Sequence, residues 1–150
     1  MEYYRYFDET STPIERDFIR KRVYVIDQNI IIWKHLPFTS EFTLNLMSEV
    51  LLNYNNELVK KFIIVDMSEM EERMNGELRA KAKQTVNTLT NVIYLAFVFG
   101  EKRLAKVTVS FVMKLSKYKN YTIKNKFEDA IEDILKYKNM YITNWDGLNE

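Results

Sequence analysis

The sequence predicts an α/β domain: an opening β-hairpin, then helices and strands in alternation, with about five strands in a mixed sheet and four helices. Three observations predict it. Apolar, β-branched runs around 23–34, 62–66 and 93–99 are separated by stretches whose apolar residues recur every three or four positions. Asp27 and Asn29 stand between the first two β-rich segments, where a hairpin would turn. The chain has 150 residues and is 47% hydrophobic, which suits one core better than two.

Residues 1–17 are polar and aromatic, interrupted by Ser11, Thr12 and Pro13, and read as an arm or short extra strand outside the main domain at 18–137. FIRKRVYVI and NIIIWKH supply the hairpin strands, the first running from Phe18. Pro37 ends the second, and Thr39 or Ser40 offers a hydroxyl to cap the next helix. That helix carries Phe42, Leu46, Met47, Val50, Leu51 and Tyr54 on one stripe, and Asn53, Asn55 and Asn56 break it. FIIVD at 62–66 is apolar at four successive positions, as a strand covered on both faces would be. A second helix starts at Asn75 or Gly76 with Leu78, Ala82, Val86 and Leu89 inward. IYLAFVF is the most apolar strand and stops at Gly100. Leu104, Val107, Phe111 and Leu115 then take helical spacing, Tyr121–Ile123 is a short strand, and Asn125 caps a last helix with Phe127, Ala130, Ile131, Ile134 and Leu135 inward. Residues 138–150 read as a tail in which Tyr141, Ile142 and Trp145 dock on the body or on a partner.

Four segments carry a family resemblance: VYVIDQNIIIW, KFIIVDMSEM, VIYLAFVFGEKRLAKVTVSFVMKL and YTIKNKFEDAIEDIL. Their order over 18–137 resembles the STAS-like fold, the group of bacterial anti-sigma factor antagonists and SpoIIAA-like domains, and in particular a SpoIIAA-like subset common in Bacteroidetes. The resemblance implies a regulatory protein-interaction module. In the anti-sigma antagonists a DSSG-type turn after the Asp-ended strand carries a phosphorylatable Ser at a helix start. Here that turn falls on Met74-Asn75-Gly76-Glu77, which has no hydroxyl. The phosphorylation switch therefore does not transfer. Ser68 is the nearest hydroxyl, but it stands among Glu69, Glu71 and Glu72, where a phosphate would be repelled. Asp66, Ser68, Glu69, Asn75 and Gly76 remain the candidate interaction loop.

Composition argues against several classes of chemistry. There is no Cys, one His and only three Gly. That leaves no thiolate zinc site, no paired imidazoles and no glycine-rich phosphate loop. The cluster Asp66, Glu69, Glu71, Glu72 and Glu77 is dense enough to suggest a cation or an aspartyl-phosphate site. A solvated loop whose acids favour the positive end of the next helix outweighs that reading. His35, at a strand end beside Leu36-Pro37, has no local acid to orient it and reads as structural. Lys102, Arg103, Lys106, Lys114, Lys117, Lys119, Lys124 and Lys126 form a basic stretch, with Tyr118 and Tyr121 available to stack on bases. Those cations fall on the face an amphipathic surface helix turns to water.

With a net charge of +1, no global field draws the chain to nucleic acid or to an anionic membrane. The start lacks the basic and apolar regions of a signal peptide, and no apolar run approaches a bilayer span. A cytoplasmic location is expected. The first functional expectation is a non-catalytic interaction module that works with an unidentified protein partner as a homodimer, without enzyme activity, cofactor, metal, nucleic acid or membrane. Tyr3, Tyr4, Tyr6 and Phe7 in the arm, with Tyr141 and Trp145 in the tail, motivate the self-association. The alternative is a carrier of a small apolar ligand or a nucleotide, with Met47, Met67, Met70, Met74 and Met113 lining a pocket; methionines so spaced are more often plain core.

Overall fold

A computed structural model describes residues 2–27, 29–56, 60–100 and 120–148. The first element is a helix, α1 (Pro13–Arg20), where the sequence suggested an arm or strand. Its cause is local. Thr12 Oγ1 accepts the Glu15 N–H at 3.1 Å, and the Glu15 carboxylate accepts the Thr12 N–H at 2.9 Å, a reciprocal capping box with Pro13 at the first helical position. The hairpin follows as β1 (Val23–Ile26) and β2 (Ile30–Lys34), so Phe18 lies in α1 and the first strand starts five residues later than the β-rich run suggests. Asp27 takes a φ of 47°, and its carbonyl accepts the Asn29 N–H at 2.8 Å to close the turn.

Ser40 caps α2 (Glu41–Asn53) by accepting the Thr43 N–H, and a short 3-10 turn at Tyr54–Asn56 ends it. β3 (Lys61–Asp66), α3 (Gly76–Thr88), β4 (Val92–Val98), β5 (Tyr121–Lys124) and α4 (Phe127–Leu148) complete the described elements. The architecture is α/β, with four helices and a five-stranded mixed sheet opened by a hairpin. The strands lie in the sheet in chain order, β1-β2-β3-β4-β5. β1 and β2 are antiparallel; β2, β3, β4 and β5 are mutually parallel. The helix expected from Leu104 to Leu115, and most of the basic stretch, lie outside the described residues.

The two sheet faces have different covers. Ile31, Trp33, Ile63, Val65, Leu95 and Phe97 point to one side and pack with Ile19 of α1, Leu44, Met47 and Leu51 of α2, and Ala82 and Val86 of α3. Ile30, Ile32, Phe62, Ile64, Ala96 and Val98 point to the other, against Ala130 and Ile134 of α4. Burial on both faces is why β2, β3 and β4 read as continuous apolar runs. Met47, Met67, Met70 and Met74 are buried in the first cluster.

Both ends of the chain depart from an appended arm and tail. Phe7 is fully buried in the first cluster, and Tyr3 packs against it. Ser40 Oγ donates to the Phe7 carbonyl at 2.7 Å, tying the arm to the start of α2. At the other end α4 continues to Leu148, since nothing in YKNMYIT breaks a helix. Its Lys138 ammonium donates to Asn29 Oδ1 at 2.7 Å and pairs with Asp27 at 3.2 Å, clamping the hairpin turn. The docking expected of Tyr141, Ile142 and Trp145 lies outside the described side chains.

Candidate functional site

Parallel strands bring their carboxyl ends to one edge of the sheet, and in open α/β sheets ligands bind outside that edge. Here it is formed by His35 after β2, the loop 67–75 after β3, and Phe99-Gly100 after β4. Asp66 is buried, and its Oδ1 accepts both the Ser68 N–H at 3.0 Å and the Ser68 hydroxyl at 2.7 Å. Its backbone carbonyl accepts the His35 N–H at 2.8 Å. Gly100 adopts a φ of 63°, and a Cβ there would stand 3.4 Å from that of Ser68, so the β3 and β4 ends touch. Met67, Met70 and Met74 are buried, and the Glu71 N–H donates to the Pro37 carbonyl at 2.8 Å. Three apolar anchors and a backbone bond pin the loop.

Glu69 pairs with Arg22 at 2.6 Å, with Lys34 3.6 Å away. The buried Arg22 guanidinium also donates to the carbonyls of Lys34 and His35 at 3.0 and 2.8 Å, and lies 5.6 and 5.8 Å from the rings of Tyr3 and Phe18. Each of its bonds is charge-assisted, and little of its charge is left for an outside ligand. His35 is buried and stacks on Trp33 with centroids 4.8 Å apart. Burial, reinforced by the nearby Arg22 charge, pushes its pKa down to about 3, so the ring is neutral. Nδ1 has no hydrogen-bond partner among the described residues. A buried ring without an orienting carboxylate packs; it is not poised as a general base.

The five candidate loop residues therefore divide. Asp66, Ser68 and Glu69 are engaged internally, whereas Asn75 and Gly76 are exposed at the start of α3. Asn75 Oδ1 accepts the Leu78 N–H at 2.9 Å. Space around Gly76 is open, the nearest atom to a Cβ there being Arg79 Nη2 at 3.9 Å. Glu72, Arg73 and Glu77 are exposed around them. The arm meets this surface. Tyr4 and Tyr6, 55% and 51% exposed, pack on Phe38 with centroids 5.0 and 5.1 Å apart. Tyr6 also lines a concavity of about 190 Å³ with Thr39, Glu72, Arg73, Met74, Asn75 and Leu78.

Sequence reasoning missed Arg22, Tyr6, Thr39 and Arg73 as members of this edge. Arg22 is one cation among several in FIRKRVYVI, and its partner is 47 residues away. No local signal marks it. Of the basic stretch, Lys124 and Lys126 are described, and Lys124 borders a concavity of about 230 Å³ shared with Asp129, Glu132, Asp133 and Lys136, a surface of mixed sign. Among the described residues no cluster of three or more His, Cys, Asp or Glu is placed to hold a metal ion. No helix among them is long and apolar enough to cross a membrane. No family model, curated protein or solved structure matches the chain.

Proposed function

We propose that this chain is a non-catalytic, STAS-like regulatory module that acts by protein–protein contact, docking through the arm and the loop between β3 and α3. One observation carries the reading: charges inside the carboxyl edge pair with one another, while a pinned loop and two half-exposed tyrosines form a continuous outer surface. Tyrosine and arginine on a pre-ordered surface are the residues that most often dominate binding energy at interfaces. A loop anchored by Met67, Met70 and Met74 loses little entropy on binding. The element order, with Asp66 ending its strand and Asn75-Gly76 at the following helix start, supports the STAS-like assignment.

An apolar carrier is less well supported. The concavities at this edge and beside α4, about 190 and 230 Å³, are smaller than common small-molecule pockets, which run from about 300 Å³ upward, and charged residues line both. Self-association as a homodimer and a cytoplasmic setting belong to the same proposal.

Affinity capture with the full chain tests it. Tyr6→Ala combined with Arg73→Glu should lower recovery of a specific partner by at least about tenfold, the cost of losing an aromatic anchor and reversing a charge. Thermal stability should stay within a few degrees of the parent. A partner held equally well by the double variant would remove this surface from the reading.

A further inference from the structure

We propose that Asn75 is a self-modification site, at which the Gly76 backbone nitrogen displaces the side-chain amide and the loop between β3 and α3 gains a negative charge. The conversion stands on local geometry and is independent of the interaction reading; only its consequence for a partner depends on that reading.

Asn75-Gly76 is the one Asn–Gly pair in the chain. Asn29, Asn87 and Asn91 precede Ile30, Thr88 and Val92, whose branched side chains crowd the nitrogen that would have to attack. Glycine leaves that nitrogen open and frees the backbone around it. Asn75 and Gly76 are both exposed, so water reaches the pair. A Cβ at Gly76 would meet nothing nearer than Arg79 Nη2 at 3.9 Å, so no packed element closes over the pair.

The place of the pair in α3 supplies the rest. Asn75 is the cap, extended at φ −69° and ψ 174°, and Gly76 is the first helical residue, whose N–H has no carbonyl partner within the helix. The positive end of the helix stabilises negative charge at this point, which favours loss of the Gly76 amide proton. Asn75 Oδ1 accepts the Leu78 N–H at 2.9 Å. That oxygen gains charge when the nitrogen adds to Cγ, so a donor is already aimed where the charge develops. Ring closure requires ψ of Asn75 to turn from its extended value, and a first turn that opens on glycine frays readily.

The reaction balances with water as its one co-reactant. The Gly76 nitrogen gives its proton to solvent and bonds to Cγ; the Cγ–Nδ2 bond breaks, and Nδ2 takes a proton from solvent and leaves as ammonia. Water then opens the five-membered imide at either carbonyl, giving Asp or isoAsp. Each product replaces a neutral amide by a carboxylate, taking the formal net charge from +1 to zero. The new charge falls in the wall that Asn75 shares with Tyr6, Glu72 and Arg73. Asp preserves the cap, whereas isoAsp adds a methylene to the backbone and displaces the acceptor of the Leu78 N–H.

Incubation of the folded full chain at physiological temperature, followed by peptide mapping and ammonia assay, tests the site. Asn75 should convert with first-order kinetics ahead of every other asparagine, releasing one ammonia per chain, and faster in mildly alkaline than in mildly acidic buffer. The isoAsp form should be the larger product, and conversion should be at least as fast as in the same chain unfolded in urea. Gly76→Ala should slow it at least about tenfold by restricting the backbone. The open space at Gly76 keeps that variant folded. Asn75→Ser retains a capping hydroxyl and should give no product at this position. Slower conversion in the folded chain than in urea would show that the cap protects Asn75 and would overturn the proposal. So would a rate indifferent to Gly76→Ala, or another asparagine converting first. None of these readouts uses a partner, so their failure leaves the interaction module standing.

Discussion

At the scale of single residues, the carboxyl edge is governed by two buried groups that a sequence cannot distinguish from surface ones. Arg22 satisfies two strand-end carbonyls and Glu69 together, so its charge serves the fold. His35 next to it is held neutral, and this has a consequence for pH. Its folded pKa of about 3 lies below the ordinary 6.5, so below pH 6.5 the unfolded chain binds a proton that the folded chain refuses. Stability from this group is complete above pH 6.5 and declines as pH falls toward 3, by about 1.4 kcal/mol per pH unit. Urea unfolding at pH 7.5, 6 and 5 should show that decline, and His35→Gln should flatten it relative to the parent. Equal slopes in the two proteins would mean that other groups set the acid sensitivity.

Among the elements, α1 shows how a strong local signal hides in a misleading neighbourhood. Thr12-Pro13-Ile14-Glu15 carries a complete capping box, yet the β-branched run that follows invites a strand from Phe18. The cap decides, because it satisfies two backbone donors that a strand here would leave to solvent. Thr12→Ala should therefore cost about 1 kcal/mol, read from chemical denaturation, and a loss under 0.3 kcal/mol would assign the helix to tertiary packing instead. The strands posed no such conflict. β2, β3 and β4 are apolar at nearly every position because both sheet faces are covered, and that pattern survives translation into structure unchanged. The methionines of the β3–α3 loop were visible as a group, but whether they line a void or fill one depends on the distance between sheet and helices.

For the whole molecule, the arm and α4 behave as parts of the domain. Phe7 is buried with the sheet's first face, and Lys138 of α4 holds the hairpin turn from the second. Phe7→Ala should cost about 3–5 kcal/mol, the usual penalty for emptying a buried aromatic site. If thermal unfolding shifts by less than two or three degrees, the arm is an appendage after all. Tyr4 and Tyr6 of the arm are exposed, so the same segment both seals the core and furnishes the proposed contact surface. The sequence by itself determined the α/β class, the opening hairpin, the strand order along the chain and the helix start at Asn75-Gly76, because periodicity and capping are written in residues within a turn or two of each other. Only the tertiary structure decided that Asp66, Ser68 and Glu69 are consumed internally while Tyr6, Thr39 and Arg73 gather around a concavity. The Asp66–Ser68 bonds are local, but the Arg22–Glu69 pair spans 47 residues of chain and the concavity gathers the arm, Thr39 and the β3–α3 loop, because parallel strands bring distant loops to one edge.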